Sequence, residues 1–261
     1  MHYDKFFGHV RSRLFSGSMT SLQVSGLKAI IERGEADDTS LAHLAYMLAT
    51  AYHETGRAMQ PIIETRNTKD KTNPTVEVAI RRLNASFAAG TLPWVSKPYW
   101  RKDASGKSWL GRGFVQLTHE VNYRKLSGPC GVDLVADPDA ALTMGPALTI
   151  LFEGMTHGMF TGRPLSDYIS GTKADYRNAR RIINGMESAD KVAGYAFVFE
   201  AALIAGGYAG RKSAAPASKP VVPAPVPAAP VAAPTPAVAA AKPKARAGGF
   251  FDILGRLFGR A

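Results

Sequence analysis

Nine of the chain's 17 prolines fall between Pro216 and Pro243, set among Ala and Val. Proline lacks a backbone N–H and fixes φ, so such a run continues neither a helix nor a sheet ladder. It favours extended polyproline II and acts as a semi-rigid spacer. The run therefore divides the 261 residues. A packed core is expected in residues 1–210, a Pro/Ala-rich linker over 211–249, and a separate short segment over 250–261. Gly248-Gly249 gives a flexible joint before that segment.

On a helical wheel, Phe250, Phe251, Ile253, Leu254, Leu257, Phe258 and Ala261 share one half. Asp252, Gly255, Arg256, Gly259 and Arg260 share the other. This predicts a cationic amphipathic helix over 250–261 with a full apolar face. Its membrane-active residues are Phe250, Phe251, Leu254, Leu257 and Phe258, flanked by Arg256 and Arg260. Residues 211–261 hold eight Lys/Arg and one Asp, which is +7 of the chain's +11 and leaves +4 for residues 1–210. Such a tail suits an anionic partner: nucleic acid, a membrane surface or an acidic cell wall. A helix docked on its own domain is the ordinary alternative, and an engineered fusion would read the same way.

Residues 1–210 show mostly helical periodicity. Phe6, Phe7, Val10 and Leu14 recur at helical spacing. Thr20 and Gln23 have capping-box spacing before Val24, Leu27, Ile30 and Ile31, with Gly34 as a stop. Ser40 precedes an i, i+3, i+4 stripe of Leu41, Leu44, Ala45, Leu48, Ala49 and Tyr52. A shorter helix is expected over 78–87, and others at about 119–127, 138–157, 173–184 and 188–207. Tyr99-Trp100 and Trp109-Leu110 flank Asp103 to Lys107, which reads as a small β-hairpin. The single cysteine, Cys130, is expected to be buried and structural. Met1 to Lys5 lacks the apolar core of a secretory signal, and no stretch reaches the length of a membrane span.

Two stretches carry candidate chemistry. Tyr52-His53-Glu54-Thr55-Gly56 puts a carboxyl at the end of an apolar helix. On the wheel Glu54 falls opposite the core stripe, so it is expected to face solvent or a groove. A helix C-terminus disfavours its negative charge and raises its pKa, the direction a proton donor needs. An ordinary exposed glutamate is the plain alternative. Glu64 follows ten residues later, where Arg66 is expected to keep it ionised; a surface Glu–Arg pair reads equally well. Gly111-Arg112-Gly113-Phe114-Val115-Gln116-Leu117-Thr118 is a Gly-rich turn ending in an amide and a hydroxyl. His53-Glu54 and His119-Glu120 begin like zinc-protease motifs. Arg57 and Tyr123 stand where the second histidines belong, so no metal is expected.

These stretches, with Asn122-Tyr123 and Arg181-Ile182-Ile183-Asn184-Gly185, resemble the chitinase-like family 19 glycoside hydrolases, most of all their phage endolysin branch. The resemblance runs from about residue 40 to 190. It implies a mainly α, lysozyme-like domain with two lobes, a cleft and a small β-hairpin. It implies that Glu54 is the general acid, that Glu64 is the second acidic residue, and that Thr118 helps hold the nucleophilic water. Gln116, Asn122 and Asn184 match sugar-contacting positions. The second glutamate comes earlier than in plant chitinases, as in the endolysin branch. The implied mechanism is inverting, with carboxyls roughly 6.5–9.5 Å apart to admit a water, and without metal or organic cofactor.

The expected function is hydrolysis of β-1,4 bonds in bacterial peptidoglycan as a muramidase. The alternatives are a chitinase acting on β-1,4 N-acetylglucosamine polymers, and lysis mainly by the membrane-disrupting tail. A catalytically dead wall-binding module is disfavoured by an intact Glu54 and Thr118. The expected partners are peptidoglycan and, through the tail, anionic bacterial membrane or lipopolysaccharide, with no nucleic acid and a monomeric chain. Synthesis is expected in a host bacterial cytoplasm, with action on the wall after release.

Overall fold

The computed structural model describes residues 1–210. The expected linker over 211–249 and the expected helix over 250–261 lie outside the described residues. The described chain is mainly helical: α1 (Tyr3–Leu14), α2 (Ser21–Ala36), α3 (Leu41–Glu54), α4 (Val76–Ala88), α5 (Glu120–Cys130), α6 (Met144–Thr156) and α7 (Ala189–Ala205). Two antiparallel pairs of two-residue strands accompany them: β1 (Ile62–Ile63) with β2 (Arg112–Gly113), and β3 (Ile169–Ser170) with β4 (Lys173–Ala174).

Local chemistry sets most helix starts. Helix α1 buries Phe6, Phe7, Val10 and Leu14, the residues whose spacing predicted it. At α2 the Gln23 N–H donates to Thr20 Oγ1, and the Thr20 N–H donates to Gln23 Oε1, completing the capping box. Ser40 and Thr75 cap α3 and α4 by accepting from the His43 and Val78 N–H groups. Gly34 does not end α2. It lies inside the helix, where a Cβ would come within 2.8 Å of Leu44 Cδ1, so its role is to let α2 approach α3.

Helix α3 is the axis of the fold. Ten of its 14 residues are buried, too many for a helix with a solvent face. It packs most extensively on α7, with α2 and α6 on its other sides. Tyr52 meets Tyr195 and Phe199 of α7 edge-on, with centroids 4.7 and 5.9 Å apart, and Tyr46 stacks on Tyr176 at 5.9 Å.

A second, smaller core forms around α4 from Ile63, Ala79, Leu83, Leu92, Trp100 and Leu110. Trp100 is fully buried, and its indole N–H donates to Asn84 Oδ1 at 3.0 Å. The β1–β2 pair joins the two cores, with Ile62 opposite Gly113 and Ile63 opposite Arg112.

Four expectations are corrected. Residues 103–107 form no hairpin of strands. Asp103 Oδ1 accepts from the backbone N–H groups of Ser105 and Lys107 and from the Ser105 hydroxyl, and the Asp103 N–H donates to the Lys107 carbonyl at 2.9 Å, which together close a tight loop. The helix expected over 173–184 is the β3–β4 turn followed by a 3₁₀ segment, Asn178–Ile182. The element expected over 138–157 begins as a 3₁₀ turn, Pro138–Leu142, before α6. Cys130 is half-buried rather than buried, with Sγ 3.7 Å from the Pro146 carbonyl, and burial pushes its thiol up to about 11.

Candidate active site

Glu54 is the last residue of α3, and the sequence after it is built to end that helix. Gly56, Arg57 and Met59 all take positive φ. The Thr55 hydroxyl donates to the Ala51 carbonyl at 2.7 Å and accepts from the Met59 N–H at 3.1 Å. Thr55 is thus a staple for the turn, and the chain reverses just beyond the carboxyl.

Contrary to the wheel argument, Glu54 does not face solvent: it is 0 % exposed. The wheel assumed one core face, whereas α3 is covered on all sides. Its Oε1 accepts from Arg180 Nη1 at 2.6 Å, and Arg180 is also 0 % exposed. Arg180 Nε donates to the Glu187 carbonyl at 3.0 Å. Glu54 Oε2 is buried with no hydrogen-bond partner among the described residues. Burial pushes the carboxyl up to about 7, outweighing the opposing pull of Arg180. Burial is therefore the principal cause of the shift, in place of the helix dipole expected from sequence. Burial, with the charges of Arg180 and Lys191, also lowers His53 to about 3, so that ring is neutral.

Glu64 follows β1 and is tied into the strand pairing. Its backbone N–H donates to the Gly111 carbonyl at 2.8 Å, and its Oε2 accepts from the Gly111 N–H at 2.8 Å. Its Oε1 accepts from the Tyr99 hydroxyl at 2.5 Å. Burial raises its pKa, opposed by the Gly111 N–H, the Tyr99 hydroxyl and the Arg112 charge. Arg66 is not its partner. That side chain points to the Asp70 carbonyl instead, so the expected Glu64–Arg66 pair is corrected.

The Gly-rich stretch forms a tight turn. The Arg112 and Leu117 backbones bond to each other in both directions, at 3.2 and 2.9 Å. Gly113 has φ +84°, and a Cβ there would stand 3.0 Å from the Ala141 carbonyl. Gln116 adopts φ +52° without being glycine. Its Nε2 donates to the Ile62 and Gly113 carbonyls at 3.0 and 3.1 Å, which fixes the amide's orientation. Its Oε1 is buried and has no hydrogen-bond partner among the described residues. A Cβ on Gly111 would lie 2.8 Å from that oxygen, so Gly111 is the residue that makes room for it.

Gln116, Thr118, Asn122 and Asn184 line one groove of about 260 Å³, together with His119 and Phe160. Four of the six residues predicted for the site therefore converge. The other two, Glu54 and Glu64, do not line it. Glu64 joins it through the Gly111–Gln116 contact, and also through Tyr99, whose ring packs on His119 at 5.2 Å. Glu54 joins it through Arg180, whose carbonyl accepts from the Asn184 N–H at 3.1 Å. Asn122 Nδ2 donates to the Thr118 carbonyl at 2.9 Å. Asn184 Nδ2 is buried and without a hydrogen-bond partner among the described residues. Thr161 Oγ1 pins the segment carrying Asn184 by donating to the Arg181 and Ile182 carbonyls.

Sequence reasoning missed Arg180, Tyr99, His119 and Phe160. Arg180 carried no local signal among 32 Lys and Arg. In the sequence His119 signals only half of a metal motif. No group of three or more His, Cys, Asp or Glu that could hold a metal ion occurs among the described residues. No protein-family model and no solved structure matches this chain.

Proposed function

We propose that the chain is an endolysin that hydrolyses the β-1,4 glycosidic bonds of bacterial peptidoglycan, as a muramidase with an inverting two-carboxylate mechanism. The observation that carries this reading is Glu54. A fully buried carboxyl pushed up to about 7 holds a proton near neutral pH, as a general acid requires. The groove supports it. A buried, unpartnered amide oxygen on Gln116 and a buried, unpartnered amide N–H on Asn184 complement the N–H and C=O of an acetamido group. In this proposal Glu54 protonates the leaving oxygen. Glu64 takes the proton of a water that the Thr118 hydroxyl positions. Gln116, Asn122 and Asn184 hold the sugar.

The lysozyme-like, two-lobed arrangement belongs to the same proposal, and the separate small core around α4 supports it. Glu54 has no exposed surface, and Glu64 is buried behind the groove with its oxygens held by Tyr99 and Gly111. The reaction therefore requires the segment carrying Arg180 and Asn184 and the Tyr99 contact to shift when substrate binds. The same acetamido-complementary groove supports a chitinase as the second reading, since its four predicted residues are uncharged. The tail is proposed to contact anionic membrane or lipopolysaccharide, on the strength of its +7 charge and its wheel.

Mass spectrometry of fragments released from purified peptidoglycan tests the proposal. Muramic acid at the new reducing end is the expected result. Glucosamine there would replace muramidase by glucosaminidase, and cleavage of peptide bonds alone would end the glycosidase reading.

A further inference from the structure

The charge of residues 1–210 is unevenly placed. Residues 61–110, which build the smaller core, hold nine Lys/Arg and four Asp/Glu, a net +5. The rest of residues 1–210 then carries −1 of the +4 total. Within residues 61–110, Glu77, Ile80, Arg81 and Asn84 of α4 meet Arg101 and Lys102 around a depression of about 500 Å³. It shares no lining residue with the groove that holds Thr118 and Asn184.

The cations here are arranged, not merely abundant. Asn84 Oδ1 accepts from the indole N–H of buried Trp100 at 3.0 Å and from Arg101 Nε at 3.2 Å. The core thus fixes the base of the Arg101 guanidinium and leaves its two terminal nitrogens without a hydrogen-bond partner among the described residues. Arg81 makes no hydrogen bond or ion pair to another described residue. Lys102 is paired with Glu77 at 2.9 Å, and Glu77 is the only acid in the depression. Two available guanidinium forks suit planar oxyanions, because each can donate two parallel hydrogen bonds. The lining has no aromatic ring for a base to stack on, which disfavours a nucleic acid strand.

We infer that the Arg81–Arg101–Lys102 depression is a second binding site, separate from the groove, for the carboxylates of the peptides borne on a wall glycan. The inference rests on the proposed action on peptidoglycan and adds a basis for choosing among substrates. Chitin is neutral and gains nothing from such a site. A peptide-substituted glycan presents free carboxylates at regular intervals and is held by the small lobe while the groove engages its sugars.

The test is co-sedimentation of the full chain with purified sacculi, with carbodiimide-amidated sacculi and with chitin, at low and raised salt. The Arg81→Gln/Arg101→Gln variant is expected to bind native sacculi about tenfold more weakly, with a shallower salt dependence. It should match wild type on amidated sacculi and on chitin. Glu77→Gln, which frees Lys102, should tighten binding to native sacculi. Unchanged binding of the double variant to native sacculi overturns the inference. So does an equal loss on amidated sacculi, or tighter retention of a single-stranded DNA oligonucleotide than of sacculi through the same residues. Glycan fragments released by wild type are measured in parallel. If wild type releases none while the charge-dependent binding holds, the proposed hydrolysis fails and the anion site stands.

Discussion

Replacing Glu54 by Gln probes the burial of this carboxyl and its proposed chemistry together. Burial raises the group from 4.5 to about 7 in spite of Arg180. Each pKa unit is worth about 1.4 kcal/mol, so the fold disfavours ionised Glu54 by roughly 3 kcal/mol relative to the unfolded chain. The sign follows from which state keeps the proton. Between pH 4.5 and about 7 the folded chain retains a proton that the unfolded chain releases. The associated stability is fully present below the unfolded value and is lost as pH rises through about 7. Glutamine cannot ionise, so the variant loses this slope. At the acid end neutral Glu and Gln are near-isosteres, and the two proteins should be close in stability. Urea denaturation at several pH values from about 5 to 8 should show the difference moving in favour of Gln by about 2 kcal/mol or more. Turnover on permeabilised cells, read as turbidity loss, should fall about 10²-fold or more. A stability difference that does not change with pH refutes the burial argument. Near wild-type turnover with the fold intact removes Glu54 from the mechanism.

Glu64→Gln should also lower turnover strongly. Wild-type activity in that variant would assign the base to another acidic residue. Thr118→Ala should cost less, because a hydroxyl positions a water and transfers no net proton, and a loss equal to that of Glu64→Gln would contradict this. Gly111→Ala places a methyl 2.8 Å from Gln116 Oε1 and should destabilise the fold by about 1–3 kcal/mol, measured by urea denaturation. Deleting residues 250–261 should leave hydrolysis of isolated peptidoglycan unchanged and reduce killing of intact Gram-negative cells. Equal killing by the truncated chain would end the membrane role.

Much of the helical scaffold is legible in the sequence because its signals are local. Thr20 with Gln23, Ser40 before α3, and the Phe6–Leu14 spacing each act within a turn or two of themselves. The convergence of Gln116, Thr118, Asn122 and Asn184 was expected from motif resemblance, and spacing alone does not show it. What stayed hidden depends on partners far along the chain. A wheel shows where Glu54 points but not what the rest of the chain places there, so its burial and its pairing with Arg180, which comes from the 3₁₀ segment Asn178–Ile182, were invisible. Arg66 is only two residues from Glu64, yet strand pairing turns Glu64 toward Gly111 and Tyr99. At 103–107 the miss is local: the Asp103 side chain and backbone close a tight loop where the flanking aromatics suggested a hairpin.

The bonds that assemble the site span long stretches of chain: 47 residues from Gly111 to Glu64, 54 from Gln116 to Ile62 and 126 from Arg180 to Glu54. Closing a loop costs about (3/2)RT ln n plus a constant, so the length-dependent part alone is roughly 3–4 kcal/mol for each of these. Site assembly therefore belongs late in folding, after the local helices have formed. On a ribosome adding about 5–20 residues per second, a chain can carry both carboxyls for several seconds before Arg180 is made. Until then Glu54 lacks its counter-charge and Asn184 does not yet exist to wall the groove. Folding order itself acts as a timer, under which the nascent chain has its acidic residues in place long before it has a site.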